Sequence, residues 1–196
     1  MFPSISFRRP NEPQFSWWPW SRMATTTNKV ADAIRLALAH ARHGNMPGTF
    51  LAYGTDEGGI LLSVSNEPFD KIVGLETDAL VAARVTRNVR RQASHEAAQR
   101  IEVLCEAAAA FDVPDSVTTV FLWNVGVPLP LDDILRQLGQ SLQHRPRSLW
   151  VIYAAPADAD IAALMTCPWV DGVTPIPTFE YEEIRVWVLE HFHSGT

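Results

Sequence analysis

The sequence is poor in cysteine and lacks long apolar runs. Of its 196 residues only two are cysteines, Cys105 and Cys167, and neither stands in a metal-ligand spacing. This low cysteine content is compatible with a reducing compartment. No stretch approaches the roughly 18 consecutive apolar residues that a membrane span requires. We therefore expect neither a cysteine metal site nor a membrane partner.

An excess of basic charge is also missing. The chain carries 16 Lys and Arg against 22 Asp and Glu, a formal net charge of -6. Because phosphate binding generally needs a basic surface, this balance argues against a nucleic-acid partner. The basic residues that do cluster fall at helical spacing, which is typical of a solvated helix face and leaves a binding patch as the alternative. They are Arg84, Arg87, Arg90 and Arg91.

What the chain has is enough apolar residues, 47% of the total, for one domain with a substantial core. We expect a single domain over 23–196, preceded by an arm over 1–22 that holds four prolines and three tryptophans without helical or strand periodicity. Trp17, Trp18 and Trp20 would either fold back or dock on a second subunit, unless the arm is a poorly ordered extension. The N-terminus lacks the apolar core of a signal peptide, so we expect a cytoplasmic protein.

The stretch Phe50 to Glu76 predicts a strand, a turn, a helix and a second strand. The turn begins at Gly54, the pair Gly58-Gly59 precedes the helix, and the second strand ends on an acid. A nucleotide-binding half-fold has this spacing, with a glycine turn that admits a ligand and a carboxylate about 20 residues later for ribose hydroxyls. The rest of the chain continues the alternation of strands and helices.

Phe50 to Asn88 resembles the start of a class I S-adenosylmethionine-dependent methyltransferase. The segments that carry the similarity are Phe50 to Gly59, Pro68 to Glu76, Arg87-Asn88, Asn124 after a strand, and Pro146-Arg147 before another strand. The turn departs from the family pattern at four positions, because Ala52 stands for its acid, Asp56 for its second glycine, Glu57 for its lysine and Gly59 for its arginine.

The resemblance implies the fold and the site. The fold class is α/β, a Rossmann-like, doubly wound and mostly parallel seven-stranded sheet with a C-terminal antiparallel hairpin. The implied cofactor is S-adenosylmethionine, with Glu76 on its ribose and Glu106 near its adenine. The full set of implied cofactor residues is Tyr53, Gly54, Asp56, Gly58, Glu76 and Glu106. On the substrate side it implies Trp123 and Asn124, with Asn124 and Tyr153 as the residues nearest the chemistry.

The acidic turn leaves two interpretations open. Asp56 and Glu57 would repel a cofactor carboxylate at the helix start, by about 1 kcal/mol in water-like surroundings and roughly 4 at an effective dielectric of 20. Alternatively, Asp56 would replace the acid missing at Ala52 and face the positive groups of S-adenosylmethionine.

Three functions follow from these patterns. The first is methyl transfer to a small molecule or a protein side chain, the second an inactive methyltransferase-like partner protein that self-associates or docks through the Trp17 to Trp20 arm. The third is a pocket reused for another reaction, with Asp56 and Glu57 as acid and base. A dinucleotide oxidoreductase is disfavoured because the turn lacks the phosphate-binding glycine spacing. His191 and His193 without a third ligand are weak evidence for a metal, so we predict none.

Overall fold

The computed structural model describes residues 31, 32, 34, 35, 38, 39, 48–123, 129–176 and 186–191. The predicted arm over 1–22 and residues Asn124 and His193 lie outside this part. The described residues of the predicted helix Thr27 to His43 are helical, and we call them α1.

The strands are buried because they are nearly continuous apolar runs. In β1, Thr49–Tyr53, every residue is buried, as expected for a central strand covered on both faces. Six more strands follow along the chain: β2 Lys71–Glu76, β3 Ile101–Cys105, β4 Val117–Trp123, β5 Leu149–Ala154, β6 Gly172–Ile176 and β7 Val186–His191.

The sheet has the order β3-β2-β1-β4-β5-β7-β6. The first five of these strands run parallel, whereas β7 pairs antiparallel with both β5 and β6. The predicted α/β Rossmann-like sheet is therefore confirmed in its parallel part. The helix that follows β1 and the helix that follows the neighbouring strand β4 lie on opposite faces of the sheet, and this arrangement favours a ligand site at the carboxyl ends of these strands.

The helices cover both faces of the sheet. They are α2 Gly59–Ser63, α3 Ala79–Gln92, α4 His95–Arg100, α5 Leu131–His144 and α6 Asp158–Met165, with 3-10 turns at Asp56–Gly58 and Ala108–Ala110. Helices α1, α2 and α3 pack against Phe50 and Ala52 of β1, whereas α5 and α6 pack on the side of Leu51 and Tyr53. We call these the α3 face and the α5 face. No helix in the described ranges combines the length and apolar character needed to cross a membrane.

Sequence periodicity did not predict α4. This helix is six residues long and its sequence, HEAAQR, buries only Ala97, so no apolar period marks it. The Ser94 hydroxyl accepts a hydrogen bond from the Ala97 amide and caps its start. At its end, Arg100 reaches the loop before β2.

The Arg100 guanidinium joins three backbone carbonyls of that loop. It donates to Ser65 O at 2.8 Å, to Phe69 O at 2.6 Å and to Glu67 O at 3.2 Å. We expect Arg100→Ala to lower the free energy of unfolding by about 2–3 kcal/mol, because charge-assisted bonds are lost and partly buried carbonyls lose their donor. The exposed Arg90→Ala should change it by less than about 0.5 kcal/mol in the same denaturant titration. Equal small losses would show that the Arg100 contacts contribute little.

Candidate functional site

The turn that follows β1 is built from left-handed backbone. Gly54 has φ 89° and Gly58 has φ 98°, but Asp56 and Glu57, with φ of 46° and 53°, also lie in this region. Short polar side chains such as Asp tolerate the conformation, and Gly has no Cβ to oppose it. Asp56 and Glu57 therefore share the left-handed backbone of the two glycines in this turn.

The turn is fastened to both neighbouring strands. The Gly54 amide donates to Leu75 O of β2 at 3.3 Å, and the amides of Gly58 and Ile60 donate to Thr55 O at 3.0 and 3.3 Å. A Cβ on Gly54 would lie 3.5 Å from the Cβ of Trp123, the last residue of β4. The start of the turn therefore lies between the ends of β2 and β4.

Helix α3 holds Glu57 away from the crevice. Arg84 Nε lies 3.2 Å from Glu57 Oε1, and the Asn88 side-chain amide donates to Glu57 O at 3.0 Å. The ion pair is about half exposed, so it stabilises the fold only slightly, but it directs the carboxylate toward α3. The four arginines of the predicted solvated helix face are all exposed, and Arg84 also pairs with Glu57.

Glu76 ends β2 beside this turn. Its Oε1 accepts hydrogen bonds from the Thr55 amide, at 3.0 Å, and from the Thr55 hydroxyl. The carboxylate is only partly buried. Within the described part of the chain, no hydrogen bond reaches Oε2. The structure therefore brings the predicted ribose carboxylate against the predicted turn, and it leaves one oxygen available to a ligand.

Thr55 is the site residue that sequence reasoning missed. It is only 1% exposed, and its methyl group packs over Gly74, where an added Cβ would come within 2.5 Å of Thr55 Cγ2. The signal available in the sequence was a hydroxyl directly after Gly54, in a turn expected to lie beside Glu76. Gly74 lies in the segment Pro68 to Glu76 that resembles the family, but only the structure shows that a side chain at this position would collide with Thr55.

The other predicted residues fall on different sides of the sheet. Trp123 is half-buried and packs against the α3 face, the same face as Thr55. The Glu106 side chain is exposed, and the Glu106 amide donates to Glu76 O at 3.0 Å, which places it next to the end of β2. Tyr53 and Tyr153 lie in the core of the α5 face, and both are only 1% exposed.

The two tyrosines share one row across the sheet, because Tyr53 and Tyr153 both pair with Leu122 of β4. The Tyr153 hydroxyl donates to Asp160 Oδ2 at 2.8 Å, whereas the buried Tyr53 hydroxyl has no hydrogen-bond partner among the described residues. Burial raises the pKa of Tyr53, and burial together with the Asp160 bond raises the pKa of Tyr153. Both phenols therefore stay protonated at neutral pH, and Tyr153 donates its hydrogen to Asp160.

Replacing each tyrosine by phenylalanine should shift stability in opposite directions. Tyr53→Phe removes a buried hydroxyl without a partner, so we expect it to raise the free energy of unfolding by up to about 1 kcal/mol. Tyr153→Phe loses the bond to Asp160 and should lower it by about 1 kcal/mol. Denaturant titration of the two variants measures both changes in the free energy of unfolding. A loss of similar size in both variants would show that the Tyr53 hydroxyl does have a partner.

Metal chemistry finds no support in the described ranges, where no three His, Cys, Asp or Glu side chains are grouped closely enough to hold an ion. The Nδ1 atom of His191 lies 3.0 Å from Asp171 Oδ2, and its ring meets Trp169 edge-on. His191 therefore has protein neighbours at the end of β7.

Comparison with known proteins gives a match in structure only. No protein-family model and no curated protein matches the sequence. A provisionally assigned O-methyltransferase from Nostoc punctiforme aligns with a TM-score of 0.61 and 16% identity, over 87% of this chain and 59% of its own. A provisionally assigned class I S-adenosylmethionine-dependent methyltransferase from Listeria monocytogenes aligns with a TM-score of 0.58 and 13% identity, over 86% of this chain and 61% of its own.

A third similar structure contains a ligand. Magnesium protoporphyrin IX methyltransferase from Synechocystis, with S-adenosylmethionine bound, aligns with a TM-score of 0.55 and 12% identity, over 92% of this chain and 85% of its own. The chain spans less than two thirds of the length of the Nostoc and Listeria proteins. At these identities the likeness establishes architecture, so this chain has the fold of the class I S-adenosylmethionine-dependent methyltransferases.

Proposed function

We propose that this chain binds S-adenosylmethionine at the carboxyl ends of β1, β2 and β4 and transfers its methyl group to a small molecule or a protein side chain. The observation that carries the proposal is Glu76. Its carboxylate stands at the end of β2, against the turn after β1, with Oε2 open to an incoming hydroxyl. Structures of similar fold include one solved with this cofactor bound.

The residues present fit the cofactor in three respects. Gly54 and Gly58 hold the left-handed backbone of a tight turn at the end of β1. Glu57 is turned toward Arg84, so its charge does not face an incoming carboxylate. Glu76 offers an acceptor for a ribose hydroxyl. We propose cofactor contacts for Gly54, Asp56, Gly58, Glu76 and Glu106, whereas the Tyr53 side chain, which was expected among them, is buried in the core of the α5 face.

The bound cofactor supplies an electrophilic methyl group on its sulfonium. The chain's own residues then need only hold that methyl in line with a nucleophile and exclude water, which is a large part of catalysis for such displacements. Trp123 is placed for this role, because it closes the crevice beside Gly54. Asn124 remains a proposed substrate-side residue, whereas Tyr153, which was expected beside it, is buried in the core of the α5 face and donates its hydroxyl to Asp160. A dedicated acid or base is not required for an acceptor that is already nucleophilic.

One observation favours a second candidate, a methyltransferase-like partner protein without transfer activity. Thr55 already occupies Glu76 Oε1 with two donors, and Asp56 adds an acid to the turn where the resembled family has glycine. Both features weaken cofactor binding relative to an unoccupied carboxylate. A third use of the site, with Asp56 and Glu57 as an acid-base pair, is disfavoured because Arg84 engages Glu57.

Equilibrium dialysis against methyl-labelled S-adenosylmethionine tests the proposal and separates the two candidates. Retention of label that unlabelled S-adenosylhomocysteine displaces is expected for a cofactor-binding protein. Incubation with pooled small-molecule and protein acceptors should then transfer label to one class. Retention without transfer to any acceptor would favour a binding protein, and absence of displaceable label would favour the inactive partner.

A further inference from the structure

The two oxygens of the Glu76 carboxylate are not equivalent. Oε1 accepts from the Thr55 amide and from the Thr55 hydroxyl, whereas Oε2 accepts no hydrogen bond from the described residues. A carboxylate oxygen offers two lone-pair sites, so two donors saturate Oε1. Only Oε2 has acceptor capacity left for a ligand.

The Thr55 side chain is held in this position on all sides. It is 1% exposed, and the space over Gly74 accommodates its methyl group. The turn on either side is fixed, because the Gly54 amide bonds to β2 and Thr55 O accepts from Gly58 and Ile60. A ligand therefore cannot turn the hydroxyl away from Glu76 without disturbing packed neighbours.

We infer that Thr55 is a positioning residue that makes Glu76 a one-oxygen acceptor, so that the site bonds one of the two ribose hydroxyls and not both. The inference rests on the proposed function. A bidentate contact, in which each carboxylate oxygen accepts a hydrogen bond from one hydroxyl of a cis-diol, needs both oxygens. Thr55 already occupies one of them. The site should therefore distinguish the 2′ from the 3′ hydroxyl of the ribose, whereas a bidentate carboxylate would bind both equally.

Deoxy analogues measure this selectivity. Calorimetry of the full chain would compare S-adenosylhomocysteine with its 2′-deoxy and 3′-deoxy derivatives. We expect one derivative to bind about tenfold more weakly or worse, since a charge-assisted bond is lost, and the other to lose less than about threefold. Equal tenfold losses would mean that both hydroxyls are held, and equal small losses that Glu76 holds neither. Each of these results overturns the inference while the proposed function stands.

Variants of Thr55 test its positioning role. Thr55→Val keeps the shape but removes the hydroxyl, so Oε1 regains acceptor capacity and the difference between the two deoxy derivatives should shrink. Thr55→Ser keeps the hydroxyl and should retain the wild-type difference, which a purely packing role of the threonine methyl would not predict. Unchanged selectivity in folded Thr55→Val contradicts the assignment. Failure of wild-type protein to bind S-adenosylhomocysteine at all overturns the proposed function as well.

Discussion

The Glu76→Ala variant should bind S-adenosylhomocysteine at least about tenfold more weakly than the unchanged protein. Each hydrogen bond to a charged group is worth about 1.5–3 kcal/mol, and the substitution removes the acceptor that we assign to the ribose. It also leaves the buried Thr55 amide and hydroxyl without their partner, so the turn that faces the ligand loses its anchor. The loss of the ribose acceptor and the loss of the turn's anchor both weaken ligand binding.

Two further variants isolate the role of the carboxylate. Glu76→Gln retains an oxygen for Thr55 and should therefore fold more stably than Glu76→Ala while still binding ligand less well than glutamate. Glu102→Ala removes a carboxylate from the adjacent strand β3, where it pairs with Lys71 at 2.6 Å on the surface, and should leave affinity unchanged. Circular dichroism must show that all three variants are folded. Equal affinity of folded Glu76→Ala and wild-type protein would contradict the assignment.

Gly74→Ala should be the most disruptive single methyl group that can be added beside the site. The new Cβ would lie 2.5 Å from Thr55 Cγ2 and 2.9 Å from Leu61 Cδ1, distances that force the neighbours to move. Overpacking of this kind costs about 1–3 kcal/mol, and here it also displaces Thr55 from Glu76. We expect a loss of stability in denaturant titration together with weaker binding of S-adenosylhomocysteine.

A second substitution should partly rescue this variant. Thr55→Ser deletes the Cγ2 atom that the new methyl meets first, and it keeps the hydroxyl that bonds to Glu76. The double variant should therefore be more stable than the sum of the two single changes predicts, by at least about 0.5 kcal/mol. Strict additivity would show that Thr55 does not transmit the strain from Gly74.

The sheet was predictable because its strands are apolar runs of ordinary length. The apolar runs predict strands over 49–53, 71–75, 100–104, 117–123 and 148–154. The bounds of β1 and β4 agree with these ranges, those of β2 and β5 differ by one residue at one end, and those of β3 differ by one residue at each end. The sequence pattern predicts a first helix over 58–66, whereas α2 covers only Gly59–Ser63 and ends where the chain turns before β2. The left-handed backbone at Glu57 has no signal in the sequence, because Glu is not a usual residue in that conformation, whereas Asp56 is of a type that tolerates it.

The site was only partly predictable. Glu76 and Gly54 follow from their spacing along the chain, because parallel strands bring their carboxyl ends to one edge. The pairing of Glu57 with Arg84 depends on how α3 lies against the turn, and the sequence distance gives no indication of it. The orientation of Tyr53 and Tyr153 toward the α5 face follows from alternation along each strand, but the lack of a partner for Tyr53 requires coordinates.

The central claim is that the turn after β1 and Glu76 together bind S-adenosylmethionine, and calorimetric titration of the purified full chain tests it most directly. S-Adenosylmethionine and S-adenosylhomocysteine would be titrated separately. The account predicts saturable binding of both at one site per chain with micromolar dissociation constants. No saturable heat with either ligand up to millimolar concentration would contradict it and leave the fold without the cofactor.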